Sequence, residues 1–113
     1  MREDRIVRNE ALYRELNERI NEIGEDLSTR GVVEPVEVDE YFCECGLDNC
    51  LEKIRLTQAE YEGVRASPIR FAIKPEHLIA DVERIVEQND RFAVIEKLVG
   101  ERELVLDRDP RRP

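Results

Sequence analysis

Three cysteines fall within eight residues, in the stretch YFCECGLDNC, and they are all the cysteines of the chain. In extended backbone, residues i and i+2 point to the same side. Cys43 and Cys45 would therefore present two thiolates together, and Gly46 permits a tight reversal that brings Cys50 back towards them. Three thiolates occupy three corners of a tetrahedron, the geometry that zinc prefers in closed, sulfur-rich sites.

Two other uses of these cysteines fit the sequence less well. A Cys43–Cys45 disulfide would close a very small and strained ring, and an odd cysteine count leaves one thiol over. Residues 34–62 carry nine acidic and two basic side chains. Nearby negative charge raises the pKa of a thiol, and a raised pKa disfavours a reactive cysteine. The same negative charge favours a bound dication. The polar residues between the cysteines also predict that this tip lies outside the core.

A fourth ligand must come from elsewhere in the chain. His77 is the only histidine, and a Cys₃His site would use it together with every cysteine. Asp48, a water molecule or a residue of a partner chain are the alternatives. The sequence therefore predicts one Zn²⁺ per chain, held by Cys43, Cys45, Cys50 and His77. A site closed by four ligands would be structural.

A local resemblance supports this metal site. Residues 43–50, CECGLDNC, resemble the post-SET zinc motif CxCGxxNC, in which three cysteines share a zinc ion with a ligand from outside the motif. The match covers eight residues and no methyltransferase core accompanies it. The resemblance implies that this spacing can supply three of the four ligands of a zinc site. It does not imply any activity.

A broader resemblance covers most of the chain. The motifs that carry it are RNEALYRELNERI at residues 8–20, the FCECGxxxC segment at 42–50, LTxAEYExVRAxPxRF at 56–71, and VExxxRFxVxEK further on, preceded by a histidine. Together they are similar to a family of small, uncharacterised bacterial proteins. The resemblance implies that residues 8–97 form one unit, and it carries no mechanism.

The first segment repeats its apolar residues with helical spacing. One seam alternates steps of three and four residues: Ile6, Asn9, Tyr13, Leu16, Ile20, Ile23 and Leu27. Three such heptads predict an amphipathic helix over residues 2–27. Either this helix packs on the domain's own core, or a seam about 37 Å long pairs with a second copy or a partner's helix through its apolar members. A polar Asn9 on the seam would then fix the register.

The remaining segments predict short strands and helices. Alternation around residues 36–38 and 54–56 indicates a hairpin with the cysteines at its tip. Thr57 and Glu60 form a capping box for a short helix. The other predictions are a strand at 69–73, a loop at 74–77, a helix at 80–88, a central strand at 91–99 and an edge strand at 104–106.

These elements predict an α+β fold. A long N-terminal helix would precede a small antiparallel-sheet domain with two short helices and a zinc-clamped hairpin tip. The predicted boundaries are residues 1–30 for the amphipathic helix, 31–106 for the zinc-stabilised α+β domain and 107–113 for a disordered tail.

The charge and hydropathy of the chain disfavour two classes of partner, nucleic acids and membranes. Charged residues make up 40% of the 113 residues and the formal net charge is −9. Nucleic-acid binding needs a basic patch, and only the last few residues are locally basic. No apolar run reaches the ~18 residues of a membrane span, and the N-terminus lacks an apolar signal core. We therefore expect a cytoplasmic protein that binds neither nucleic acid nor membranes.

Three functions remain after sequence analysis. The first is a zinc-stabilised interaction or regulatory module that uses the N-terminal helix as its partner surface. The second is a redox sensor in which thiol oxidation releases the zinc. The third is a small zinc hydrolase, which would need an acid or base near an open metal position. Glu44, Asp48 and Glu76 are the candidates for that role, although surface glutamates are common.

Overall fold

The computed structural model describes residues 2–31, 38–47, 50–80, 82–98 and 102–111. The helices are α1 (Arg2–Thr29), α2 (Gln58–Arg65) and α3 (Arg102–Asp107). The strands are β1 (Asp39–Phe42), β2 (Lys53–Leu56), β3 (Arg70–Ile73), β4 (Glu83–Gln88) and β5 (Ala93–Lys97). The fold is α+β, with a long N-terminal helix, antiparallel sheets and two short helices, as the sequence predicts.

The described strands form two small antiparallel sheets. β1 pairs with β2, with Asp39 opposite Leu56 and Phe42 opposite Lys53, so that the cysteine segment connects the two strands of a hairpin. The second sheet has the order β3-β5-β4. β5 is buried along its whole length, which confirms the predicted central strand. The predicted start of the first hairpin strand falls on residues 32–37, outside the described residues.

The predicted helix at residues 80–88 is wrong, because this segment contains β4. The pairing of β4 with β5 places Ile85 opposite Ile95 and Glu87 opposite Val94, with a bulge between Ile85 and Glu87. A bulge inserts one extra residue and breaks the two-residue alternation of a strand. The apolar side chains at Val82, Ile85 and Val86 consequently have a helical spacing although the backbone is extended.

The C-terminal segment also differs from expectation. The predicted edge strand at 104–106 lies within α3, and Val105 of that helix is buried in the core. The tail expected to be disordered, residues 107–113, is described as far as residue 111. Arg111 donates hydrogen bonds to Glu18 (2.8 Å) and Glu62 (2.9 Å). Residues 112 and 113 lie outside the described residues.

The capping box predicted at the start of α2 is confirmed. The backbone N–H of Glu60 donates to the Thr57 hydroxyl, and the backbone N–H of Thr57 donates to the Glu60 carboxylate. These bonds satisfy two of the N–H groups that a helix start leaves unpaired. The helix then buries Tyr61 and Val64 on one side, as their spacing predicts.

Helix α1 packs on the rest of the chain mainly through a polar face. The buried polar residues on this face recur at helical spacing: Glu10, Arg14, Asn17, Glu18 and Asn21. Arg14 donates to the carbonyls of Pro68 (2.8 Å) and Val105 (3.1 Å), and its guanidinium lies 4.5 Å from the centre of the Phe71 ring. α1 therefore docks by directional hydrogen bonds, and Ile6 and Val7 add apolar contact at one end. No helix of the described residues is long and apolar enough to cross a membrane.

A fully buried charged cluster joins α1 to the three-stranded sheet. The Lys97 ammonium lies 3.0 Å from Glu10 and 3.3 Å from Glu83, and none of the three side chains is exposed. Glu83 also accepts a hydrogen bond from the backbone N–H of Ile79. Burial raises the pKa of Glu10 well above its usual range, and the opposing attraction of Lys97 does not cancel this effect. A protonated Glu10 leaves one balanced ion pair between Lys97 and Glu83.

Stability should therefore depend on pH through Glu10. A carboxyl whose pKa is raised by folding adds stability below its unfolded pKa, and this stability is lost as the pH rises through the folded pKa. We expect Glu10→Gln to gain stability relative to the wild type as the pH rises above the ordinary pKa of a carboxyl group, by up to about 1.4 kcal/mol per pH unit, until the raised pKa of Glu10 is passed. Urea denaturation of both proteins across this range measures the difference. Parallel pH profiles would contradict a protonated Glu10.

Candidate metal centre

Four potential ligands converge beside the hairpin. The thiol sulfurs of Cys43, Cys45 and Cys50 lie 3.4, 3.6 and 3.6 Å from Nδ1 of His77. All four ligand atoms lie within 4.8 Å of one another, so the group could hold a metal ion. The structure thus brings together the four residues that the sequence predicts as ligands.

The ligands come from the ends of three strands. Cys43 and Cys45 follow β1, Cys50 precedes β2, and His77 lies in the turn after β3. The turn is closed by a hydrogen bond from the His77 N–H to the Lys74 carbonyl (3.0 Å). The backbone N–H of Lys74 also donates to the sulfur of Cys43 (3.1 Å).

Hydrogen bonding alone does not account for this convergence. A histidine Nδ1 either donates one proton or accepts at one lone pair, yet three sulfurs approach this nitrogen at nearly equal distances. Contact with Cys43 and burial raise the pKa of Cys45, and burial is the main cause that raises the pKa of Cys50. Clustered thiolates repel one another without a cation between them. A metal ion at the centre could bind all four groups at once.

Glu44, between the first two cysteines, is a structural residue that sequence analysis placed on the surface. Its side chain is fully buried, which corrects the prediction that the tip lies outside the core. Its carboxylate accepts hydrogen bonds from Asn17 (2.9 Å), from the Tyr61 hydroxyl (2.8 Å) and from the backbone N–H of Ala72 (2.9 Å). The signal was the Cys-Glu-Cys alternation, which sends Glu44 away from the side that the cysteines share.

The backbone on either side of Glu44 is held equally closely. Asn17 donates to the carbonyl of Phe42 (2.8 Å) and accepts from its N–H (2.7 Å). The N–H of Glu44 donates to the carbonyl of Ala72 (2.8 Å), and that of Cys43 donates to Glu52 (2.9 Å). These hydrogen bonds fix the cysteine segment to α1 and to β3 independently of a metal ion.

Gly46 has a role different from the predicted reversal. A Cβ at this position would lie 2.2 Å from Cγ2 of Ile6 and 2.9 Å from the Ile6 carbonyl oxygen. The Gly46 carbonyl accepts a hydrogen bond from Asn9 (3.2 Å). Only glycine lets the segment approach α1 this closely, so the seam residues Ile6 and Asn9 are used inside the chain.

The two described candidates for an acid or base, Glu44 and Glu76, are not members of the four-residue ligand group. Asp48 lies outside the described residues. Glu76 is exposed, and its φ of +150° is unusual for a residue other than glycine. Glu44 is engaged by three donors on the far side of its segment. Glu44 is therefore not placed as an acid or base for a metal-bound water.

Comparison with known proteins identifies no protein similar to this chain. No family model, no curated protein and no solved structure matches this chain.

The close approach at Gly46 can be tested by adding one methyl group. We expect Gly46→Ala to cost about 1–3 kcal/mol of unfolding free energy, because the methyl group overpacks the contact with Ile6. Gly63→Ala is the matched control, since no atom lies within 4 Å of a Cβ built there. In the exposed helix position of Gly63, alanine should stabilise by about 0.5–1 kcal/mol. Equal effects of the two substitutions in urea denaturation would contradict the contact.

The role of Glu44 can be tested by an isosteric change. Glu44→Gln turns one acceptor oxygen into a donor that faces another donor, so we expect a loss of about 1–3 kcal/mol in unfolding free energy. The loss should be accompanied by weaker metal binding, because the two flanking cysteines are displaced. Glu40→Gln, at an exposed position of β1, should change stability by less than about 0.5 kcal/mol. A Glu44→Gln protein as stable as this control would refute the assignment.

Proposed function

We propose that this protein is a zinc-stabilised, non-enzymatic interaction module. One Zn²⁺ per chain would be held by Cys43, Cys45, Cys50 and His77, and helix α1 would provide the surface that meets a partner. The metal would hold the hairpin to the turn after β3, and through the hairpin would support the docked helix.

The distances within the cluster carry the zinc proposal. Zinc binds thiolate sulfur at about 2.3 Å and imidazole nitrogen at about 2.0–2.1 Å, so the sulfur-to-nitrogen edge of a tetrahedron is about 3.6 Å. The three observed distances to Nδ1 of His77 are 3.4, 3.6 and 3.6 Å. Thiolate-rich tetrahedral sites favour zinc or iron–sulfur clusters. A histidine nitrogen equidistant from three sulfurs around one centre fits a single zinc ion.

A closed ligand set supports a structural role. Four protein ligands fill the tetrahedron, whereas a catalytic zinc keeps a position for water or substrate. Structural zinc in small peptides contributes an apparent ~10–16 kcal/mol at neutral pH, which is comparable to the net stability of a domain. The four ligands lie between positions 43 and 77. The metal would therefore join the chain segments next to β1, β2 and β3, which are short strands.

The redox alternative has less support. Cys43 and Cys45 are buried, and the raised pKa of Cys45 disfavours the thiolate that an oxidant attacks when the metal is absent. Cys50 is the most accessible of the three sulfur positions. The hydrolase alternative also has less support, because four protein ligands leave no open metal position and Glu44 is held by three donors away from the cluster.

The interaction surface rests on α1. Leu12, Leu16 and Ile23 are exposed apolar side chains on one helix. They lie away from the polar face that docks on the rest of the chain. Exposed apolar side chains that align in this way are typical of surfaces that bind another protein.

Metal analysis tests the zinc. We expect one zinc per chain in protein purified without chelators, measured by elemental mass spectrometry against protein concentration. His77→Ala should weaken zinc binding by at least about tenfold, the lower limit for outer-shell residues of metal sites, and Cys45→Ser should do the same. Glu76→Gln, beside His77 but exposed, is the matched control and should bind as the wild type does. A folded wild-type protein that carries no zinc and takes none up would overturn the proposal.

A further inference from the structure

The guanidinium of Arg111 lies between two carboxylates that come from different helices, Glu18 of α1 and Glu62 of α2. Its Nε and Nη2 donate hydrogen bonds to Glu18 (2.5 and 2.8 Å), and its Nη1 and Nη2 donate to Glu62 (both 2.9 Å). Paired hydrogen bonds of this kind recognise the planar shape of a guanidinium as well as its charge. The cleft between α1 and α2 is therefore a guanidinium site that the chain occupies with its own side chain.

A subsite for a carboxylate lies next to it. Asp109 accepts a hydrogen bond from Nη2 of Arg65, whose side chain is fully buried. Nε of Arg65 lies 3.5 Å from Glu18, so the two subsites share the Glu18 side chain. Nη1 of Arg65 has no hydrogen-bond partner among the described residues. Asp109 therefore does not satisfy all the donors that Arg65 offers.

The C-terminal segment leaves space beside these contacts. A cavity of about 550 Å³ is lined by Arg65, Asp109 and Arg111 together with the apolar side chains of Pro68 and Leu106. The three-residue segment 109–111 thus forms part of the cavity wall without occupying the cavity. A longer segment bound in the same place would have room there for its neighbouring side chains.

The charge of the cleft favours a basic occupant. Glu25 lies beside Glu62, and its pKa is raised by burial and by this neighbour, although Arg111 opposes the effect. One guanidinium therefore does not cancel the repulsion between these carboxylates. Glu103 adds a further carboxylate to the wall of the cavity.

We propose that this cleft docks an extended segment of a partner protein that carries an arginine two residues after a carboxylate, and that residues 109–111 occupy the cleft in its absence. The partner's arginine would replace Arg111 between Glu18 and Glu62, and its carboxylate would replace Asp109 at Arg65. The C-terminal segment is then a built-in competitor that raises the partner concentration needed for docking. The inference rests on the proposed function only because it names a partner that meets α1, and it does not require the zinc.

The tether of the C-terminal segment sets the affinity to expect. A segment joined through a short linker has an effective concentration on the order of 1 mM at its site. The cleft is occupied at this concentration. The same segment supplied as a separate peptide should therefore bind an emptied cleft with a dissociation constant below about 1 mM.

Fluorescence anisotropy of a labelled peptide, RDPRRP from residues 108–113, measures the docking. The full chain with Arg111→Ala has no guanidinium in its cleft and should bind the peptide with a dissociation constant below about 1 mM. The wild type should bind it at least about threefold more weakly, because its own arginine competes. Circular dichroism establishes that the variant is folded. A folded Arg111→Ala protein that does not bind the peptide, or that binds it no better than the wild type, would overturn the inference.

Two controls separate the cleft from general attraction to an acidic chain. Glu62→Gln, added to Arg111→Ala, should weaken binding at least about threefold. Glu22→Gln removes the same charge from an exposed position of α1 and should leave binding unchanged. A second peptide has Asp109 and Arg111 exchanged, which keeps the composition and charge but reverses the order of the two groups. Equal binding of the two peptides would show charge attraction alone and would contradict the proposed site.

The wild-type chain provides a measurement that needs no variant. The nuclear magnetic resonance signal of the Arg111 Nε–H group reports its hydrogen bond to Glu18. As unlabelled peptide is added, this signal should move to the position of a solvent-exposed arginine, because the peptide displaces the C-terminal segment. A signal that does not move with the peptide in large excess would refute displacement.

The two proposals fail separately, because zinc content is measured on the same samples. A chain that holds zinc but does not bind the peptide overturns the docking inference alone. A chain that binds the peptide but holds no zinc overturns only the metal site of the proposed function.

Discussion

The segment of residues 43–46 is the part on which the other contacts depend. Its side chains alternate between two environments, so Cys43 and Cys45 face the ligand cluster while Glu44 faces the interior. The glutamate carboxylate binds donors from α1, α2 and β3 at once. One extended stretch thereby links the candidate metal centre to the helices and sheet, and a shift of its backbone would disturb both sides.

Helix α1 is held by groups that usually lie in water. A buried amide or guanidinium costs free energy unless it is hydrogen-bonded, and here Asn17, Asn21 and Arg14 find partners across the interface. Because hydrogen bonds require particular distances and angles, such a face fixes the rotation of the helix more tightly than apolar packing would. The same rotation leaves Leu12, Leu16 and Ile23 exposed on the opposite side of the helix.

Charge serves two different purposes along this helix. Inside, Glu10 meets Lys97 and Glu83 in a cluster without exposure, where burial keeps Glu10 protonated more readily than in water. Outside, exposed residues of both signs flank an apolar stripe, where solvent weakens each pair. The buried cluster connects α1 to β4 and β5, whereas the exposed charges pair at the helix surface, as Asp26 does with Arg30 (3.3 Å).

The sequence by itself determined the local features that depend on spacing. The long helix, the capping box of α2, the hairpin, the central strand β5 and the four residues of the cluster followed from periodicity, turn chemistry and residue type. Zinc, the partner and the division at residue 30 stay predictions.

Only the tertiary structure decided the rest. β4 is a strand because it pairs with β5 across a bulge that hides the alternation, and residues 102–107 are helical where the apolar triplet at 104–106 suggested an edge strand. Glu44, Asn17 and Arg14 lie in the interior, where they form hydrogen bonds with distant segments. Spacing reveals which side chains share a face, but whether a polar face meets water or a matching set of donors and acceptors depends on contacts between residues far apart in the chain.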